Sequence, residues 1–308
     1  MSYYSRLQKA FEGAPRLPLN DCSKYVIFSD CHRGIGNTND NFLKNQTLYM
    51  AALKHYFTKN FSYIELGDGD ELWENHDLTK IIAAHSDVYE LISLFHRQGR
   101  LYLLYGNHDI VKKNSSFTSR CCSTYPCCCC NNPHLESKPL LPDIKIYEGI
   151  ILENNAQKAA QTICLTHGHQ AELLNSTLWP LARFLVRFLW KPLESIGILN
   201  PTSAAQNSAR KKKTENRLHH FASENDILLI AGHTHRAFLS EADPYYCNSG
   251  SCVHPYKITC LEIEHMHISL VQWSLSADAD MHLYVSRKIL TGPVALDKLQ
   301  QLVTLHGN

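Results

Sequence analysis

Five short apolar runs punctuate the chain up to residue 231, and each ends on a cluster containing Asp, Asn or His. KYVIFS (24–29) leads into DCHRG, FSYIEL (61–66) into GDGDE, LYLLY (101–105) into GNHD, TICLT (162–166) into HGH, and DILLIA (226–231) into GHTH. The runs have strand length, are rich in β-branched or aromatic residues and show little polar alternation, as buried strands do. Segments 40–57 and 77–97, between the first three runs, read as helices, so the order predicts an α/β fold. In such folds ligand-binding groups gather beyond the carboxyl ends of the strands. The five polar clusters are therefore expected to converge on one site.

After residue 240 the pattern changes. YYCNSGSCVHPYKITCLEIEHMHISLVQWSL predicts two or three further strands that continue or flank the sheet, with turns at Asn248-Ser249-Gly250 and near His265. The closing PVALDKLQQLVTLH has helical spacing and is expected to dock on the outside of the molecule. No internal repeat of fixed period is present.

Composition narrows the class. Of 308 residues, 44% are hydrophobic and 19% charged, the balance of a folded protein rather than a disordered one. Thirty Lys and Arg against 29 Asp and Glu leave no global basicity, so nucleic acid is not predicted as a partner. The N-terminal MSYYSRLQKAFEGAPRLPL lacks the apolar core of a secretory signal, and no window approaches about 20 consecutive apolar residues. A cytoplasmic protein is expected. Six of the twelve Cys crowd into CCSTYPCCCC (Cys121 to Cys130); a loop with incidental thiols and a zinc or iron–sulfur site are both open there.

The 18 His bring in chemistry. Asp30 and His32 are two apart, so on an extended chain both project to one side, and His233 and His235 repeat that spacing. Asp68, Asn107 and His167 each stand just past a strand. Imidazole and carboxylate together suit manganese, iron or zinc rather than a calcium-type oxygen cage. Seven ligands are too many for one ion and fit two, with Asp68 as the natural bridge. Two divalent ions bring four positive charges against the two carboxylates of Asp30 and Asp68, so the centre is cationic and attracts an anion such as phosphate. It would also lower the pKa of bound water to about 7 in favourable cases, giving a hydroxide for in-line hydrolysis. The stretch YIELGDGDELWEN (63–75) then places Asp68 on the metals, Glu71 behind them, and Asp70 and Glu74 toward solvent. Glu65 belongs to the strand and has no role assigned.

These blocks resemble the five signature motifs of the calcineurin-like metallophosphoesterase superfamily: D-x-H, G-D-x-x-D/E, G-N-H-D/E, a lone His and G-H-x-H. All five occur in order between residues 30 and 235. The resemblance implies an αββα sandwich of two packed mixed β-sheets flanked by helices, forming a single domain over residues 1–308. It further implies a first metal on Asp30, His32, Asp68 and His235, and a second on Asp68, Asn107, His167 and His233. His108 would face substrate, stabilising the transition state or protonating the leaving oxygen, and Glu71 would orient it. Such acid assistance contributes about 10² to 10⁴ in rate. Arg33, beside the first block, is a candidate phosphate clamp, and His169 a candidate substrate contact.

GDGDELW is further similar to the GD-x-x-E-x-W form of UDP-2,3-diacylglucosamine pyrophosphatases, which carry a helical lid after the lone-His block. Residues 171–225 form an insertion in that place, expected to be a helical cap. Arg183, Arg187 and Lys191, spaced i, i+4, i+8, make one basic stripe on an apolar segment bounded by Pro180 and Pro192. That stripe reads either as solvated charge on a core helix or as a surface for a lipid-linked substrate and peripheral membrane contact. Those pyrophosphatases usually carry Arg where this chain has His108, which favours ordinary phosphoesterases. A serine/threonine-type phosphoprotein phosphatase is a further alternative, disfavoured because Leu72-Trp73 replaces the usual Arg-Gly. A non-catalytic binding module is disfavoured by the intact ligand set.

Overall fold

In a computed structural model of the protein, residues 1–126, 137–154, 162–186 and 208–306 are described. Their strands are β1 (Arg16–Pro18), β2 (Lys24–Phe28), β3 (Ser62–Leu66), β4 (Leu101–Leu104), β5 (Thr124–Pro126), β6 (Ser137–Pro139), β7 (Ile146–Tyr147), β8 (Gly149–Glu153), β9 (Ile163–Thr166), β10 (Leu228–Ala231), β11 (Tyr246–Asn248), β12 (Lys257–Glu264), β13 (His267–Ala277) and β14 (Leu283–Ala295). The helices are α1 (Tyr3–Phe11), α2 (Gln46–Thr58), α3 (Leu78–Ala84), α4 (Ser86–Arg97), α5 (Ser115–Cys122), α6 (Leu173–Ser176), α7 (Trp179–Leu185), α8 (Ser208–Glu224) and α9 (Leu296–His306).

Two mixed sheets form the centre. One runs β1-β8-β9-β10-β11 and the other β14-β13-β12-β2-β3-β4-β7. In the second, β2, β3, β4 and β7 are parallel, while β12 joins β2 antiparallel with Leu261 opposite Ile27. Side chains alternate across a strand, so β2 feeds two cores at once. Tyr25 and Ile27 meet Ile64, Leu165 and Ile230 between the sheets. Val26 and Phe28 turn outward against Tyr49, Leu53 and Phe95 of α2 and α4. On the far side, Ile151, Cys164 and Leu229 pack against Leu7 of α1 and Leu218 and Phe221 of α8. The layers run helix, sheet, sheet, helix. Strands apolar on both faces follow directly from this sandwiching.

Two expectations about helices need revision. Segment 77–97 is not one helix: α3 ends at His85, whose buried ring is held between Asp40 Oδ2 at 2.8 Å and Gln46 Oε1 at 2.7 Å. The last helix does not dock on the outside. Pro293, Val294 and Ala295 still belong to β14, and Leu296 and Leu299 of α9 are fully buried in the core between the sheets.

Cys121 and Cys122 lie on α5 and are buried in the α2–α4 core, while Cys127 to Cys130 lie outside the described residues. The eight described cysteines are free thiols, seven of them buried. No helix among the described residues is long and apolar enough to cross a membrane.

Candidate metal centre

The five motif loops leave neighbouring strands at one edge of the sandwich. Parallel β2, β3 and β4 deliver Asp30, His32, Asp68 and Asn107 from one sheet, and parallel β9 and β10 deliver His167, His233 and His235 from the other. The first two loops are stitched together, Asp30 N donating to Gly67 O at 3.1 Å and His32 N to Asp68 O at 2.9 Å. Donor atoms of Asp30, His32 and His235 lie within 4.8 Å of one another, and so do those of Asp68, His167 and His233. Asp68 Oδ2 stands 3.0 Å from His167 Nε2 and 3.8 Å from His32 Nε2, between the two groups.

The backbone is bent to achieve this. Asp30, His32, Asp68, His233 and His235 all adopt the left-handed region, with φ between 50° and 66°. That conformation is uncommon outside glycine and strained, and such strain concentrates at functional loops. The motif glycines have a separate cause. A Cβ on Gly106 would stand 2.1 Å from Asp68 Oδ1, and one on Gly232 would stand 2.6 Å from Asp30 Oδ2. Each glycine makes room for a carboxylate from another loop.

Tautomers are fixed from behind. His167 Nδ1 donates to Leu66 O at 2.8 Å, which leaves Nε2 as a lone pair. Glu71 Oε2 accepts from His32 Nδ1 at 2.9 Å, with the same result for His32 Nε2. Asp30 Oδ2 accepts from Ser29 Oγ at 2.5 Å and His233 N at 2.9 Å, and Oδ1 is turned inward. Asp30 Oδ1, Asn107 Oδ1 and His167 Nε2 are all buried without a hydrogen-bond partner, although Asp30 Oδ1 lies only 3.0 Å from His235 Nε2. Lone pairs that face each other at such range without a hydrogen between them are the arrangement of ligands to a common cation. Two carboxylates, one amide oxygen and four imidazoles fit two ions of the manganese, iron or zinc kind.

The electrostatics agree. Burial would raise the Asp68 carboxyl, yet His167, His108 and His32 hold it well below the usual carboxylate range. Burial disfavours a charged His167, but Asp68 and Asp30 push it up to about 9. Glu71 is held down to about 2, against its burial, by His108 and His32. The pocket is built to collect positive charge.

His108 sits at the rim, its side chain 24% exposed, with Nδ1 held by Glu71 Oε1 at 2.8 Å and its backbone N donating to Asp68 Oδ1 at 2.8 Å. Trp73 stacks on its ring at 4.3 Å. Glu71 therefore serves two histidines, His32 and His108, where the sequence pointed to one.

Residues that sequence reasoning missed stand over His233. Glu172 Oε1 and Asn175 Nδ2 each lie 3.5 Å from His233 Nε2, and Glu172 also accepts from Arg210 Nε at 3.1 Å and Thr214 Oγ1 at 2.8 Å. The segment after β9 is thereby tied to the donor groups through α6 and α8. No motif announces Glu172, because an isolated acidic residue at the start of a helical segment has many ordinary uses.

Two expectations fail. Arg33 is no phosphate clamp: it is 1% exposed and its guanidinium donates to both oxygens of Glu65 at 2.7 and 2.8 Å and to Asp70 Oδ1 at 2.8 Å. Asp70 does not face solvent. It is buried, paired with Arg33 and with Lys112 Nζ at 2.6 Å, and it accepts from Tyr89 Oη at 2.7 Å. Glu74 is half-buried. His169 is buried beside His167, with ring centroids 5.6 Å apart. Arg183 lies on α7, half-buried, with its guanidinium 4.9 Å from the Trp179 ring. Pro180 falls in the first turn of α7, and Arg187, Lys191 and Pro192 lie outside the described residues.

No family model matches the sequence, and no curated protein does either. Among solved structures, the chain is similar to Vps29 of Chaetomium thermophilum, at 11% identity and a TM-score of 0.38, over 88% of this chain and 97% of that one. It is also similar to GAP50, the anchor in the inner membrane complex of Plasmodium, at 10% identity and a TM-score of 0.42, over 92% of this chain and 94% of that one. Likenesses this distant carry no functional argument, and the chemistry rests on the side chains at the strand ends.

Proposed function

We propose that the protein is a metal-dependent phosphoesterase that hydrolyses a phosphate ester or pyrophosphate bond. One observation carries the reading: Asp30, His32 and His235 on one side, and Asp68, His167 and His233 on the other, cluster beside a rim histidine, and Asp30 Oδ1, Asn107 Oδ1 and His167 Nε2 are buried there without a hydrogen-bond partner. The first three would hold one ion, the other three together with Asn107 the second, with Asp68 shared. Bound divalent ions would polarise a phosphoryl oxygen and supply a water nucleophile at neutral pH. The chain's own contribution is placement. Glu71 and Leu66 O keep the lone pairs of His32 and His167 directed inward. His108, anchored at Nδ1 by Glu71 and steadied by Trp73, offers Nε2 to hydrogen-bond the phosphoryl group or give a proton to the leaving oxygen.

Purified protein should contain about two equivalents of manganese, iron or zinc, and chelation should abolish hydrolysis of 4-nitrophenyl phosphate or its diester until metal is restored. If the metal-loaded protein leaves a panel of monoesters, diesters and pyrophosphates intact, the reading is wrong.

An amphipathic, lipid-linked substrate is a second reading, favoured by Leu178, Leu181 and Phe184, exposed by 42%, 51% and 57% on and beside α7. It carries with it peripheral contact at a membrane surface. Removing residues 178–199 should then slow hydrolysis of a lipid-linked pyrophosphate more than that of a small ester. Equal losses on the two substrates would end this reading.

A further inference from the structure

A cleft of about 150 Å³ lies beside the metal centre, walled by α1, the segment after β4 and the start of the insert. His169 is common to both. Its ring lies 5.6 Å from that of His167 and lines the cleft, and its Nδ1 is buried without a hydrogen-bond partner.

The cleft's charge is unbalanced. Arg6, Lys9 and Lys113 line it against one carboxylate, Glu148. Glu148 is already engaged, accepting from Tyr105 Oη at 2.7 Å and Gln170 Nε2 at 3.3 Å. Arg6 is only 8% exposed and is pinned by two backbone carbonyls, Gln170 O and Met1 O, both at 2.8 Å. Burial and the neighbouring Arg217 push its pKa down. Among the described residues Arg6, Lys9 and Lys113 have no carboxylate within ion-pair range. Lys113 Nζ instead lies 5.6 Å from the Trp179 ring of α7.

A buried guanidinium fixed in place without a counter-charge is costly, and an anion would relieve that cost. Arginine with flanking lysines is also the set that grips phosphate oxygens. Such a group entering the cleft would also meet His169 in its wall.

We propose that this cleft is a subsite for a second phosphate group of the substrate, remote from the one hydrolysed. The preferred substrates then carry two phosphoryl groups joined by a spacer, rather than one. This rests on the hydrolytic reading of the metal centre.

The test compares 4-nitrophenyl phosphate with a hexose 1,6-bisphosphate on the manganese-loaded full chain, for wild type, Lys9→Ala, Lys113→Ala and the double variant. The ratio of kcat/KM for the bisphosphate to that for 4-nitrophenyl phosphate should fall about tenfold per lysine, the loss expected for one charge-assisted contact. A ratio unchanged across the variants overturns the subsite. Binding of the same bisphosphate to metal-free protein, read by calorimetry, separates the two claims. If metal-free wild type binds it and the double variant does not, while manganese-loaded wild type hydrolyses neither it nor 4-nitrophenyl phosphate, the subsite stands and the phosphoesterase reading falls. If both bind it equally, the subsite is wrong whatever the activity.

Discussion

Asp68→Ala is expected to lose bound metal and phosphoester hydrolysis together. The Asp68 Oδ2 atom lies between the histidines of the two donor groups, 3.0 Å from His167 and 3.8 Å from His32. Its other oxygen accepts the backbone N–H of His108, so the change disturbs the rim residue as well. Loss of an outer hydrogen-bond partner typically costs a metal site ten- to a hundred-fold, and loss of a shared ligand should exceed that, to about 10³-fold in kcat/KM. Asp68→Asn serves as the companion, because its amide oxygen can still accept from His108 N while the negative charge is gone. Metal content and rate should fall in both variants. Wild-type metal stoichiometry with a wild-type rate in either one would refute the shared-ligand role.

Arg33→Met should instead strike the fold. The guanidinium is the counter-charge for Glu65 and Asp70, both 1% exposed, and it lies 5.2 Å from the Tyr89 ring. Burial disfavours its charge, yet Asp70 and Glu65 hold its pKa well above the ordinary value. Removing one partner of a buried ion pair usually costs about 3–5 kcal/mol, because the carboxylates left behind have no water to turn to. Lys112, paired with Asp70 and Asp109, can offset only part of this. Arg33→Lys should also be poor, since an ammonium cannot reproduce the fork that meets Glu65. Denaturant unfolding of metal-free protein reads the effect directly. A loss below about 1 kcal/mol, with KM for phosphate esters raised instead, would restore the clamp that the sequence suggested.

The two substitutions mark where sequence reading stops. The strand ends carrying Asp30, Asp68, Asn107, His167 and His233 were legible because each follows an apolar run of strand length and strand-like composition. The proposed ligand roles then follow from residue type. The five carboxylates of residues 65–74 were a different matter. Their number is plain in the text, but the cations that neutralise two of them come from elsewhere: Arg33 from the loop after β2 and Lys112 from the turn after the GNHD block. A charged residue bound for the interior looks like one bound for water until its partner is placed. The same holds for Glu172, whose relation to His233 exists only once α6 folds over the centre. The break between α3 and α4 was hidden because His85 stops the helix through Asp40 and Gln46, residues some forty positions away.

The order of the strands has a consequence for how the molecule is made. β2, which leads to Asp30, is flanked by β3 and by β12, whose residues come more than two hundred positions later. Leu296 and Leu299 then close the space between the sheets from the last helix. During synthesis the first strands emerge with one edge bare and the interior unsealed, a state prone to misassociation. Completion of the centre thus waits until α9 has left the ribosome, and a stop codon shortly before Leu296 should yield aggregate rather than soluble protein with a weakened site.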